Sequence, residues 1–118
     1  MIRFSDKPVY LCLGATDMRK QITGLAERVK LSFDLDPFSE AMFVFCNRSR
    51  DRIKILEWDA DGFWLYFKRL ERGRFKWPKL SGDENKMELS REELELMIGS
   101  AKLEKKLGRN EVFERKIA

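Results

Sequence analysis

The sequence predicts a single α+β domain: a curled antiparallel sheet of about five strands, one long amphipathic helix on one face, and a short C-terminal helix. Three observations carry that expectation. The 118 residues match the commonest domain size and can bury roughly two-thirds of their unfolded surface without a metal or disulfide. Short β-branched and aromatic runs bounded by Gly, Asp and Pro fill the middle of the chain, as strands of a small sheet do. One long segment carries its apolar residues at helical spacing instead.

VYLCL at 9–13 is apolar, β-branched and aromatic, and Gly14 stops it, so it reads as a short buried strand. Asp17 then reads as a helix N-cap, a carboxylate suited to the free amides of a first turn. Met18, Ile22, Leu25, Val29 and Phe33 follow at steps of four, three, four and four, which predicts a helix over 17–33. Pro37 ends it by pushing Asp36 out of helical geometry.

AMFVFCN at 41–47 is apolar throughout, the pattern of a strand covered on both faces. RSRD turns the chain into RIKILEWD, where Arg52 and Lys54 alternate with Ile53 and Ile55 as a wet and a dry face. The alternation breaks at Leu56, which predicts a bulge or a change of partner. ADG at 60–62 is a turn signal, so 52–70 reads as an antiparallel hairpin. Its second strand places Phe63, Leu65 and Phe67 on a core face and Trp64, Tyr66 and Lys68 on the other. RFKW at 74–77 reads as a short edge strand limited by Pro78, and KMEL at 86–89 as a last strand. Ser90 with Glu93 forms a capping box for a helix carrying Leu94, Met97 and Ile98, closed near Gly99. These elements make one α+β domain over 1–100. Residues 101–118 are a charged extension, read as a frayed helix or as a docking segment bearing Leu103, Leu107, Val112, Phe113 and Ile117.

No apolar run approaches the ~18 residues that span a bilayer, and MIRFSDKPVY is a poor secretory leader. A cytoplasmic location follows as the expectation. Cys12 and Cys46 sit inside apolar runs, which suits buried thiols in a reducing compartment.

With no histidine in the chain, a Ser-His-Asp triad, a Cys-His dyad and the usual zinc sites are all excluded. No catalytic residue, metal ligand or cofactor site is assigned. Asp59 and Asp61 form the one close acidic pair beside a strand end, which leaves a metal-dependent nuclease as a remote reading, since Asp and Gly are also what a tight turn needs.

The net charge is +4, and it is unevenly spread. Residues 48–79 hold ten Lys/Arg against five acids, whereas 1–47 hold six of each and 80–118 hold eight basic against nine acidic. Lys and Arg on phosphates supply most nucleic-acid affinity, and aromatic rings add stacking on single strands. The candidate nucleic-acid contacts are Arg48, Arg50, Arg52, Lys54, Lys68, Arg69, Arg72, Arg74 and Lys76, with Trp64, Tyr66 and Trp77 as stacking partners.

The strings YLCLGATDMRKQITGLA, DPFS and FVFCNRSRDRIKILEWDADGFWLYFKRLERGRFKWP, followed by SREEL, resemble the TnpB, or second-open-reading-frame (Orf2-like), accessory protein of bacterial insertion sequences of the sixty-six family. The resemblance runs over about 8–98 and is specific, since DMRK, GL, DPF, NR, DRIK, WD, DG and KRLERGRF fall in the same order and spacing. It implies a protein encoded beside a DDE-type transposase that serves transposition, with no enzymatic activity and no catalytic residues to carry over. With the charge map, that process makes element DNA and the transposase or other element-encoded proteins the expected partners. The alternative is a protein-interaction module that docks the transposase through the hairpin and tail without touching DNA.

Overall fold

The structure is a computed structural model that describes residues 7–99; the readings for 101–118 fall outside that range. The elements are β1 (Val9–Ala15), α1 (Ile22–Ser32), β2 (Met42–Cys46), β3 (Arg52–Asp59), β4 (Gly62–Arg69), β5 (Lys86–Leu89) and α2 (Arg91–Ile98). The five strands form one open sheet in the order β4-β3-β2-β1-β5.

The sheet is mixed, not antiparallel throughout. β1 and β2 run parallel, with Val9 opposite Met42 and Cys12 opposite Phe45, and α1 is the crossover between them. Parallel neighbours need such a crossover, so the helix predicted between the first two strands is what makes their pairing parallel. The remaining pairs are antiparallel, and β3 and β4 meet in a two-residue turn with Asp59 opposite Gly62.

α1 begins at Ile22 rather than Asp17, and its N-cap Gln21 makes no side-chain cap bond. The Asp17 carboxylate instead closes a turn on Arg19, accepting from its backbone N–H at 2.9 Å. The predicted bulge at Leu56 is absent, because β3 is covered on both sides over 53–57. A register shift lies in β1 between Cys12 and Ala15, where Gly14 holds φ +86°, a backbone glycine adopts without cost. RFKW at 74–77 forms no strand. It is a strap whose Phe75 and Trp77 are buried.

Each sheet face carries its own core. On one side Leu25 and Val29 of α1, with Phe33, pack on Cys12, Phe43, Phe45 and Leu56, and Phe63 and Leu65 close the margin. On the other, Leu94 of α2 with Phe75 and Trp77 covers Val9, Leu11, Met42, Val44, Ile53 and Ile55. Phe67 does not join Phe63 and Leu65 in the core: it is 54% exposed, since α1 stops short of that end of the edge strand. The α2 capping box is formed as expected, Ser90 Oγ accepting from Glu93 N and Glu93 accepting from Ser90 N, and Gly99 closes the helix in left-handed geometry.

Cys12 and Cys46 are buried and unpaired. Burial pushes the Cys12 thiol up to about 12 against the weaker pull of Arg28 and Lys86, and pushes Cys46 up to about 11. Both thiols are therefore expected to resist a disulfide reagent at pH 8 in the native protein and to react promptly in denaturing guanidinium. Because the unfolded thiols ionise near 9.0 while the folded ones keep their protons, their contribution is intact below that pH and declines above it. Thermal midpoints measured from pH 7 to 10.5 should fall only in the upper part of the range.

Candidate nucleic-acid interface

β1, β2 and β4 finish at the same end of the sheet where β3 and β5 begin, as the pairings of Ala15 with Cys46, Arg52 with Arg69, and Cys12 with Lys86 require. The turn at 47–51 and the strap after β4 therefore emerge together. Over 47–52 and 69–80 the chain has eight Lys/Arg against two acids, so topology gathers the basic third of the sequence on one pole.

Local chemistry fixes the β2–β3 turn. Asn47 Oδ1 accepts from the N–H groups of Asp51 and Arg52, each at 3.0 Å, and its Nδ2 donates to Asp51 Oδ1 at 2.7 Å. That side-chain bond is the main reason the Asp51 carboxyl sits below its ordinary range. Arg50 takes φ +60°, and Arg48, Ser49 and Arg50 are left exposed. The strap is tied to this turn by Leu70 N–H to Asp51 O and Phe75 N–H to Arg50 O, both 2.7 Å. Its alternation buries Phe75 and Trp77 while Arg72, Arg74, Lys76 and Lys79 face out.

On the α1 side the turn forms one wall of an open groove of about 1040 Å³. The other wall is the loop from Ala15 to Gln21, and Leu65 and Phe67 lie along the margin. Lys54 spans the two walls: its ammonium donates to the carbonyls of Met18 and Lys20, both at 2.8 Å, and stands 5.9 Å from the centre of the Phe67 ring. Thr16, only 3% exposed, lines the groove, and its hydroxyl has no hydrogen-bond partner among the described residues. Arg19 lines the groove in a two-pronged pair with Asp17, Nη2 to Oδ2 at 2.7 Å, which lowers the Asp17 carboxyl to about 2.

The sequence-predicted residues divide accordingly. Arg48, Arg50, Arg52, Arg69, Arg72, Arg74 and Lys76 belong to the basic pole, with Arg69 paired to Glu71 at 2.8 Å. Lys54 is 6% exposed and spends its charge on backbone carbonyls, so it holds the groove together and offers no phosphate contact from the surface. Trp77 is 9% exposed and is a core ring, not a stacking platform. Lys68 donates to the Ile98 carbonyl at 2.6 Å, anchoring the end of α2. Tyr66 donates to buried Glu57 at 2.9 Å, and burial followed by that bond raises its phenol above the ordinary value. Trp64, 54% exposed, stacks on Tyr66 and donates to Asp59 Oδ2 at 3.1 Å. Asp59 ends β3 and Asp61 sits in the hairpin turn at the opposite pole.

That opposite pole has its own character. The Asp36 carboxylate accepts from Phe38 N–H at 2.9 Å, and the turn so formed presents Phe38, 58% exposed, against Trp58 and Phe63. Thr16 and Phe67 are the site residues that strand alternation does not reveal. The signal for Phe67 is that Lys54 lies directly opposite it across β3 and β4, so a cation and a ring share one register position.

A family model described as IS66 Orf2 like protein matches residues 7–107. Two proteins of Sinorhizobium fredii (strain NBRC 101917 / NGR234) are similar to this chain. Uncharacterized protein y4hO is 42% identical over 74 residues, covering 63% of this chain and 64% of its own length. Uncharacterized protein y4jC is 32% identical over 82 residues, covering 70% of this chain and 68% of its own. The chain thus spans a little under two-thirds of the first of these relatives. No solved structure matches.

Proposed function

Because the chain belongs to the IS66 Orf2-like family, we propose that it is a non-enzymatic, cytoplasmic accessory factor in the transposition of an insertion sequence, and that it works by holding element DNA on its basic pole. One observation carries this reading: eight Lys/Arg against two acids emerge at one end of the sheet, on a turn and a strap that are rigidly tied to each other. A backbone tied in this way presents its basic side chains in a set arrangement, as phosphate contacts that fix register require. The test is binding of a labelled element end across a salt series. Affinity is expected to fall steeply and log-linearly with salt, by a slope of about −0.9 per phosphate neutralised. No binding at about 50 mM salt, where the electrostatic attraction between Lys/Arg and phosphate is strongest, would sink the proposal.

A second reading is favoured by the opposite pole. Phe38 on the α1 face and Trp64 on the other face are each more than half exposed there, beside Asp36, Asp59 and Asp61, and exposed rings rimmed by charge suit a protein contact. On this reading the hairpin end docks the transposase. Replacing Trp64 by Ala would then abolish co-purification with the transposase and leave the DNA salt slope unchanged. The two readings use different ends of the molecule and are compatible.

A further inference from the structure

We infer that the groove between the Ala15–Gln21 loop and the Asn47–Lys54 segment receives an unpaired DNA strand, with a base stacked on Phe67 and an adjoining phosphate seated near Thr16 and the start of α1. The inference deepens the DNA reading above and depends on it.

Four features of the groove point the same way. Phe67 is 54% exposed at the margin of the groove, and an exposed ring beside cations is the stacking platform that single strands use. One side of that ring faces the Lys54 ammonium, which the Met18 and Lys20 carbonyls hold in place, so the ring is braced from behind. Thr16 lines the groove, and its buried Oγ1 lacks a partner among the described residues, so a donor is present without an acceptor. Burying such a hydroxyl unpaired costs roughly 1–3 kcal/mol, a cost that a phosphate oxygen would remove.

The fourth feature is the helix start. The first turn of α1 has no acidic residue, and Gln21, which lines the groove, makes no side-chain cap bond, so no side chain of the helix's own first turn neutralises its positive end. Arg48 and Arg52 line the same space and supply formal charge. Duplex DNA cannot use this arrangement. It turns its phosphates outward on a convex surface and keeps its bases stacked inside, so neither the recessed hydroxyl nor the ring would be reached. An unpaired strand offers both a free base face and a phosphate.

The experiment compares a labelled 12-nucleotide DNA strand, the same sequence as a closed hairpin duplex, and the RNA strand, by fluorescence anisotropy on the full-length protein. The wild type is expected to bind the DNA strand at least tenfold more tightly than the duplex. Phe67→Ala should weaken strand binding roughly 5- to 150-fold, the range of one lost base stack, and leave duplex binding unchanged, while Phe67→Trp restores strand binding. Thr16→Val should weaken strand binding with an unchanged circular dichroism spectrum. Phe67 is half exposed, so its truncation does not threaten the core. Equal or tighter duplex binding, or an ineffective Phe67→Ala, overturns the inference and leaves the basic-pole reading intact. Tighter binding of RNA than of DNA overturns the assignment to a DNA strand. Failure to bind strand or duplex at about 50 mM salt, where phosphate contacts are strongest, overturns both.

Discussion

The variant Arg48→Glu, Arg72→Glu, Arg74→Glu is expected to bind element DNA at least roughly 500-fold more weakly than the wild type at 0.1 M salt. Each phosphate contact multiplies the association constant by about the inverse salt concentration to the power 0.9, or roughly eightfold at that salt, and three contacts multiply to the figure given. Carboxylates add repulsion, so this is a lower bound. The three side chains are exposed, and the bonds that shape their supports, from Asn47 and from Phe75 N–H to Arg50 O, are left in place. Folding is therefore unaffected, which a matching urea midpoint would show. The neutral variant with Gln at all three positions separates attraction from repulsion: its log-log salt slope should be shallower by about 2.7. Wild-type affinity in either variant would mean that the basic pole does not hold DNA.

A large effect on stability is expected at Glu57. This carboxylate is 4% exposed in the middle of β3, accepts from the Tyr66 hydroxyl at 2.9 Å and pairs with Lys7. Removing one partner of a buried pair leaves the other charge without compensation and costs about 3–5 kcal/mol. Lys7 keeps some contact with water, its side chain being 20% exposed, so Glu57→Ala is placed at the low end, about 3 kcal/mol. Urea denaturation should show a lower midpoint with an unchanged slope. Tyr66→Phe removes only the hydroxyl, leaves Glu57 paired with Lys7, and should cost about 1 kcal/mol. If Glu57→Ala cost less than Tyr66→Phe, the carboxylate would not be the centre of this network.

Sequence reasoning reached the elements whose causes are local. The capping box at Ser90 and Glu93, the left-handed Gly99 and the two-residue turn before Gly62 are each specified by a few adjacent residues, and each stands where its residues put it. Most of what escaped is set by distant partners. Asp17 has the chemistry of an N-cap, but Arg19 claims its carboxylate and Lys54 holds the carbonyls of Met18 and Lys20, so the helix starts later. Lys54 reads as a wet-face residue because its neighbours alternate; its actual partners are 34 and 36 positions away. Phe67 reads as core because Phe63 and Leu65 are, yet the helix above them does not reach it. The basic pole was legible as charge density in the middle third, whereas its gathering at one end required the pairing of β1 with β2.

The order in which the chain closes on itself gives the Lys54 bridge a further meaning. β2, β3 and β4 are joined by short turns, whereas β1 reaches β2 only through the whole segment 16–41, and ordering a longer loop costs more entropy. The meander is thus the cheap part of the sheet to assemble, and the crossover the expensive part. The groove has one wall from each. An anion held between them ties the late-closing half of the molecule to the early one, so whatever free energy it gains in binding also counts against opening of the crossover. The site is in that sense a clasp: occupancy adds to the stability of the closed crossover in proportion to the logarithm of ligand concentration above the Kd.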